Sequence, residues 1–133
     1  MRRIADAGLI IAGLDSHDPY HAWARTILER EPPPWFICEP VVAEIAATIG
    51  TAEPVLEMLQ RGDLELAFDL DENLAEVQDL IRKYRDQPMD LGDACVVRMS
   101  ELMDDSVVYT VDKTDFLVYR RRGRFRINSV FPD

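Results

Sequence analysis

Asp90 and Asp93 stand three residues apart in the stretch Pro88-Met89-Asp90-Leu91-Gly92-Asp93-Ala94-Cys95-Val96-Val97. Positions i and i+3 fall on nearly the same side of a helix, so both carboxylates point the same way at a helix mouth. Leu91, Ala94, Cys95, Val97 and Leu102 supply an apolar stripe that buries the opposite side. An acid at the N-cap with a second at N3 is also what a capping box requires, and Asp90 fits the cap. Asp93 gains chemical interest from acids at comparable junctions elsewhere. Asp6 ends the short run Arg2-Arg3-Ile4-Ala5, and Asp112 ends the β-rich run Ser106-Val107-Val108-Tyr109-Thr110-Val111, with Asp115 three residues on. Glu44 is the only charge inside Val41–Ile49, where helical projection beside Val41, Ala47 and Thr48 sets it on or next to the apolar face.

Carboxylates crowded together repel and raise one another's pKa unless a cation resides among them. Asp6, Glu44, Asp93 and Asp112, with Asp115 close by, offer oxygen donors only, which suits Mg2+ or Mn2+ rather than zinc. Such an ion retains several waters and polarises a phosphate, so the implied chemistry is phosphodiester hydrolysis. His17 and His21 have the four-residue spacing of helical zinc ligands, but no Cys or further His supports them. They are expected on the surface or in packing.

The elements that must position these acids alternate along the chain. Residues 2–6 form a strand, followed by a short helix over 9–14. Asp18-Pro19 opens a helix that runs to about Arg30 and is stopped by Pro32-Pro33-Pro34. Trp35-Phe36-Ile37-Cys38 is a buried strand and Glu39-Pro40 begins the helix that Gly50 closes. A helix over 53–60, an exposed or edge strand over 64–68 and a long amphipathic helix over 71–84 follow. After the helix opened by Asp90 come the strand 106–111 and a last short strand over 125–130. No repeat or linker interrupts the pattern, which predicts one domain over 1–133: an α/β, three-layer α/β/α sandwich with a mainly parallel central sheet. Right-handed crossovers would carry residues 6, 93 and 112 to one edge of that sheet.

Composition narrows the partners. A net charge of −10 argues against a broad electrostatic grip on nucleic acid. The basic residues are uneven, however: Arg120, Arg121, Arg122, Arg124 and Arg126 fall within seven positions. They are either a solvated turn or a phosphate-contacting strip beside the acidic pocket. No apolar run approaches the roughly 20 residues of a membrane span, and Met1-Arg2-Arg3-Ile4-Ala5-Asp6 has no long apolar region before its first charge, so export is not expected. Cys38 and Cys95 lie in apolar segments, as buried thiols in a reducing cytoplasm do.

Four segments, in order and spacing, resemble the PIN domain, and specifically the VapC-type toxin ribonucleases of bacterial and archaeal toxin–antitoxin pairs. They are Asp6-Ala7-Gly8-Leu9-Ile10, Glu39-Pro40-Val41-Val42-Ala43-Glu44, Pro88-Met89-Asp90-Leu91-Gly92-Asp93-Ala94 and the run from Tyr109 through Asp112 and Asp115 to Arg120. His21-Ala22-Trp23-Ala24 fits the family's first long helix. The resemblance implies metal-dependent RNA cleavage, a homodimer, and inhibition by a small antitoxin whose tail enters the acidic pocket. It implies metal binding by Asp6, Asp93 and Asp112, a direct or water-mediated role for Glu44, a further ligand in Asp115, and orienting roles for Thr110 and Asp90. Two positions depart from the pattern. Ala7 stands where Thr or Ser is common, and Gly92, in place of the usual Ala, should loosen its helix by up to about 1 kcal/mol.

Two other functions are open to the same residues. An acidic groove on a catalytically weak module could hold a basic partner peptide. A strand-end Asp could also serve as a phosphoacceptor, but the paired acids of receiver domains and the Asp-x-Asp start of dehalogenase-like phosphatases are missing, since Gly8 stands two after Asp6.

Overall fold

In the computed structural model, which describes residues 1–133, the apolar runs become short strands and the amphipathic stretches become the helices between them. In chain order these are β1 (Arg2–Ala5), α1 (Ala7–Leu14), α2 (His21–Arg30), β2 (Trp35–Ile37), α3 (Glu39–Ile49), α4 (Glu53–Arg61), β3 (Leu64–Leu66), α5 (Leu74–Lys83), α6 (Leu91–Leu102), β4 (Ser106–Tyr109), α7 (Lys113–Val118), β5 (Arg120–Arg121), β6 (Phe125–Arg126) and β7 (Ser129–Val130).

Five strands form a parallel sheet in the order β3-β2-β1-β4-β7. Ile4 pairs with Phe36 on one side and with Val108 on the other. Parallel strands demand crossovers, and the helices supply them. α1 packs on α2 and α3, α3 packs on α4, and α5 packs on α6. With right-handed crossovers, the steps from β1 to β2 to β3 run toward one edge and the return to β4 runs toward the other. The helices therefore cover both faces of the sheet, as an α/β/α sandwich requires. The core is a single cluster whose fully buried members include Ile4, Ile37 and Val108 from the strands and Leu9, Ile45 and Val96 from the helices.

Several boundaries differ from those expected. The helix predicted from Asp18-Pro19 begins at His21 instead. The Asp18 side chain accepts from the Tyr20 N–H at 2.8 Å and its carbonyl accepts from the His21 N–H, so Asp18 is used up in a turn before the helix. The long helix expected over 71–84 opens as a 3-10 turn, Asp71–Asn73, ahead of α5. The buried Asn73 side chain donates to the Asp69 carbonyl and accepts from Arg98, which fixes a kink there. The last strand is two strands. β6 folds back on β5 as an antiparallel hairpin, whereas β7 joins the main sheet beside β4. The three-residue connection Arg122-Gly123-Arg124 places both Arg122 (φ 53°) and Gly123 (φ 69°) in the left-handed region, and the Arg124 N–H closes the turn on the Arg121 carbonyl. Gly50 (φ 96°) ends α3 in the same region. No helix is long and apolar enough to cross a membrane.

Candidate metal centre

The strand order reverses between β1 and β4, because the chain builds outward from β1 to one side and then returns to the other. Open α/β sheets leave a crevice at that point, beyond the carboxyl ends of the strands. Asp6 follows β1 immediately and Thr110 follows β4 immediately. The Asp6 N–H donates to the Tyr109 carbonyl, and Gly8 lies against Val111 so closely that an added Cβ would meet its methyl at 2.3 Å. The start of α1 is thus pressed onto the end of β4.

Three carboxylates meet in this crevice. Asp6, Asp93 and Asp112 each present an oxygen within 4.8 Å of the other two. Asp6 is buried and held on both sides: Oδ1 caps α1 by accepting from the Ala7 N–H at 2.9 Å, and Oδ2 accepts from the Thr110 hydroxyl at 2.6 Å. Thr110 Oγ1 in turn accepts from the Asp112 N–H at 3.0 Å, so one hydroxyl fixes the spacing of two acids. Asp93 is also buried and sits at N3 of α6. Asp90 and Asp93 form a complete capping box, in which Asp90 Oδ1 accepts from the Asp93 N–H at 2.8 Å and Asp93 Oδ2 accepts from the Asp90 N–H at 3.3 Å. Asp112 precedes α7 and is exposed.

The electrostatics follow from this crowding. Burial pushes the Asp6 carboxyl up to about 7, against the opposing hydrogen bonds from Thr110 and Ala7, with Asp112 and Glu44 adding repulsion. Asp93 also rises to about 7, through burial first and then the charges of Asp90 and Asp6. Asp112 is raised by burial, Asp115 and Asp90. No arginine or lysine forms an ion pair with any of the three. Their charge is therefore uncompensated by the chain itself, and a cluster of hard oxygens at this spacing fits a hard dication.

The other residues singled out in the sequence are arranged around this trio. Glu44 does not lie on the apolar face of α3: the buried face is Val41 and Ile45, while Ala43, Glu44, Ala47 and Thr48 are exposed. It still feels the centre, since burial of its carboxyl and the charges of Asp90 and Asp112 raise its pKa. Asp115 is one turn into α7 and acts on Asp112 by repulsion. His17 and His21 do not converge on a metal site. His17 faces Asp15 at the surface and His21 Nδ1 lies 2.7 Å from the Ala12 carbonyl. Cys38 and Cys95 are free and buried.

One participant was not foreseen. Tyr119, fully buried, donates its hydroxyl to Asp93 Oδ2 at 3.2 Å. Burial and the carboxylates of Asp93 and Asp115 push its pKa up, so it remains a neutral donor. Tyr84 packs edge-on against it at 5.1 Å between ring centroids, as does Phe116 at 5.2 Å. A tyrosine among Leu117, Val118 and Arg120 carries no sequence signal for this role beyond its apolar surroundings.

No family model matches the chain. Among curated proteins, the chain is similar to Ribonuclease VapC26 of Mycobacterium tuberculosis (strain ATCC 25618 / H37Rv), with 26% identity over 133 residues, covering 96% of this chain and 98% of that protein. The similarity spans the whole arrangement described above and supports a VapC-like relationship.

Proposed function

We propose that this chain is a divalent-metal-dependent endoribonuclease, a hydrolase of RNA phosphodiester bonds built as a single PIN-like domain, and that it is the toxin of a type II toxin–antitoxin pair acting in the cytoplasm. The observation that carries this is the trio of mutually close carboxylates without a cationic side chain among them. Similarity to a protein named as a ribonuclease supports the substrate class.

Asp6, Asp93 and Asp112 would hold Mg2+ or Mn2+, with Asp115 as a further ligand from the same helix. When bound, such an ion supplies Lewis-acid polarisation of the phosphodiester and neutralises developing charge. The chain's own groups do the rest. Thr110 keeps Asp6 and Asp112 at fixed separation, while Asp90 and Tyr119 hold one oxygen of Asp93. Glu44, at the exposed rim and with its pKa raised, accepts a proton from water in the crevice. A homodimer and a cognate antitoxin whose segment enters the acidic crevice complete the reading.

The test is cleavage of a labelled RNA with Mg2+ or Mn2+ and with chelator. Asp6→Asn and Asp93→Asn should each abolish cleavage and leave the circular dichroism spectrum native. Metal-dependent cleavage retained by both variants would remove the mechanism.

A second function, a catalytically weak module that holds a basic partner, is favoured by one observation. A groove of about 700 Å³ is lined by Glu39, Asp69 and Asp71 together with Pro40, Phe68 and Leu70. Calorimetry separates the two functions, because a module of this kind shows no Mn2+ binding at millimolar concentration.

A further inference from the structure

Five arginines are concentrated between residues 120 and 126, and the structure divides them into two kinds. Arg121 and Arg122 are consumed by the protein. Arg121 donates to the Ser100 carbonyl at 2.9 Å and pairs with Asp104 at 3.1 Å. Arg122 donates its backbone N–H to the Glu101 carboxylate and pairs with Asp104 at 3.4 Å. These contacts pin the β5–β6 hairpin to the end of α6. Arg120 donates to the carbonyls of Leu117, Val118 and Tyr119 at the end of α7. Arg124 and Arg126 have no carboxylate partner and are exposed.

Arg126 stands directly opposite Arg120 in the hairpin ladder. Two like charges in facing positions of an antiparallel pair destabilise it, and no acid compensates them here. Both line a groove of about 430 Å³ with Phe116, Leu117, Asn128 and Phe131, a volume in the range of small-ligand sites. Outside the groove, on the other face of the hairpin from Arg126, Phe125 is 54% exposed, with the Arg124 guanidinium 5.4 Å from its ring centroid. An exposed aromatic ring backed by a guanidinium is a stacking platform for a base.

The groove runs along the edge strand β7, from Phe131 on the side of the acids to Asn128, which donates to the Ser106 carbonyl where β4 begins. β7 runs parallel to β4, and the Thr110 N–H donates to the Val130 carbonyl, so Phe131 emerges beside the end of β4. α7, which forms the groove wall through Phe116 and Leu117, begins next to Asp112. A six-residue helix is about 9 Å long, so a strand with one phosphate at the acids reaches the groove with its neighbouring nucleotides.

Building on the nuclease function proposed above, we propose that the groove between α7 and the β5–β6 hairpin is the track for single-stranded RNA flanking the cut. Arg120 and Arg126 take backbone phosphate, and Arg124 and Phe125 stack a base. The arrangement places a local positive surface on an acidic chain, one short helix away from the carboxylates.

The test uses a fluorescein-labelled oligouridylate and anisotropy titrations in Mg2+, with the full chain carrying Asp6→Asn so that the RNA stays intact. Adding Arg120→Ala and Arg126→Ala should weaken binding about tenfold and reduce the slope of log K against log salt by about 1.4, two phosphate contacts at about 0.7 each. Phe125→Ala should weaken binding about fivefold or more. Arg61→Ala, whose arginine pairs with Glu57 and Asp63, should change neither quantity. Equal affinity and slope for the arginine variant and the Arg61 control would overturn the track. Cleavage by the unsubstituted chain then decides whether the nuclease function stands without it. Absence of both RNA binding and cleavage overturns the two together. If the arginines govern capture of poly-glutamate but leave RNA binding unmoved, the surface serves an acidic protein segment and the RNA track is wrong.

Discussion

Replacing Asp6 by Asn tests the electrostatic account of the centre without reference to catalysis. In the metal-free chain the Asp6 carboxyl moves from its ordinary 3.8 to about 7, chiefly through burial. The folded chain therefore holds more protons than the unfolded chain between about pH 4 and pH 7, and its stability falls as pH rises through that window. A difference of about three pH units at 1.36 kcal/mol per unit makes ionised Asp6 cost about 4 kcal/mol above pH 7. Asn removes that cost and keeps the bond from the Ala7 N–H. It forfeits the bond donated by the Thr110 hydroxyl, worth about 1 kcal/mol. Asp6→Asn should accordingly stabilise the chain by about 3 kcal/mol at pH 8 in chelator, on the order of 10 °C in unfolding temperature. Near pH 4 the gain should vanish. Adding Mn2+ at pH 8 should stabilise the parent through mass action and leave the variant unmoved. The assay is thermal and urea unfolding by circular dichroism from pH 4 to pH 8, with and without metal. A variant no more stable than the parent at pH 8, or a gap that does not change with pH, refutes the reasoning.

Tyr119→Phe preserves the packing against Tyr84 and Phe116 but deletes the hydroxyl bonded to Asp93. Mn2+ affinity by calorimetry should fall about fivefold, the equivalent of one hydrogen bond of about 1 kcal/mol, and unchanged affinity would exclude a positioning role. Thr110→Val leaves Asp6 Oδ2 and the Asp112 N–H without their partner and should destabilise the chain by about 1–3 kcal/mol in urea. Gly92→Ala should instead stabilise it by about 0.5–1 kcal/mol, because the added Cβ meets only Asp90 Oδ1 at 3.4 Å and a Val41 methyl at 3.6 Å; a loss measured in the same urea titration would mean that α6 needs the smaller residue.

The parts of the fold legible in the sequence are those where one local signal dominates. The strands around Ile4, Phe36 and Val108 are short apolar runs bounded by acids or prolines, and they recur as the sheet centre. Asp6 and Asp112 stand out because a carboxylate after a buried strand is expected at the productive edge of a parallel sheet, and the structure brings the two together. Asp93 stands out by its spacing to Asp90, and the capping box weighed against it is formed by the same side chain that faces Asp6 and Asp112. Glu44 projects on or beside the apolar face of α3 next to Val41, Ala47 and Thr48, and because the stripe that packs is Val41 and Ile45 it ends beside that face and exposed. Legibility failed where tertiary contacts outvote local pattern. Tyr119 was missed because its partner is 26 residues away. The turn at Arg122-Gly123 falls where the arginine run allows a solvated turn, but the single strand expected over 125–130 splits, because Phe125 and Arg126 pair back on β5 while Ser129 and Val130 pair with β4.

The bond between Thr110 and Asp6 joins positions 104 apart in the chain, and the centre needs β1, β4 and α6 to be docked at once. A chain emerging from a ribosome has Asp6 exposed early but has no centre until residues beyond 112 have followed and β4 has slotted in beside β1. Topologies with such long-range pairings close late in folding. The centre is therefore assembled only late in synthesis, as a consequence of strand order alone.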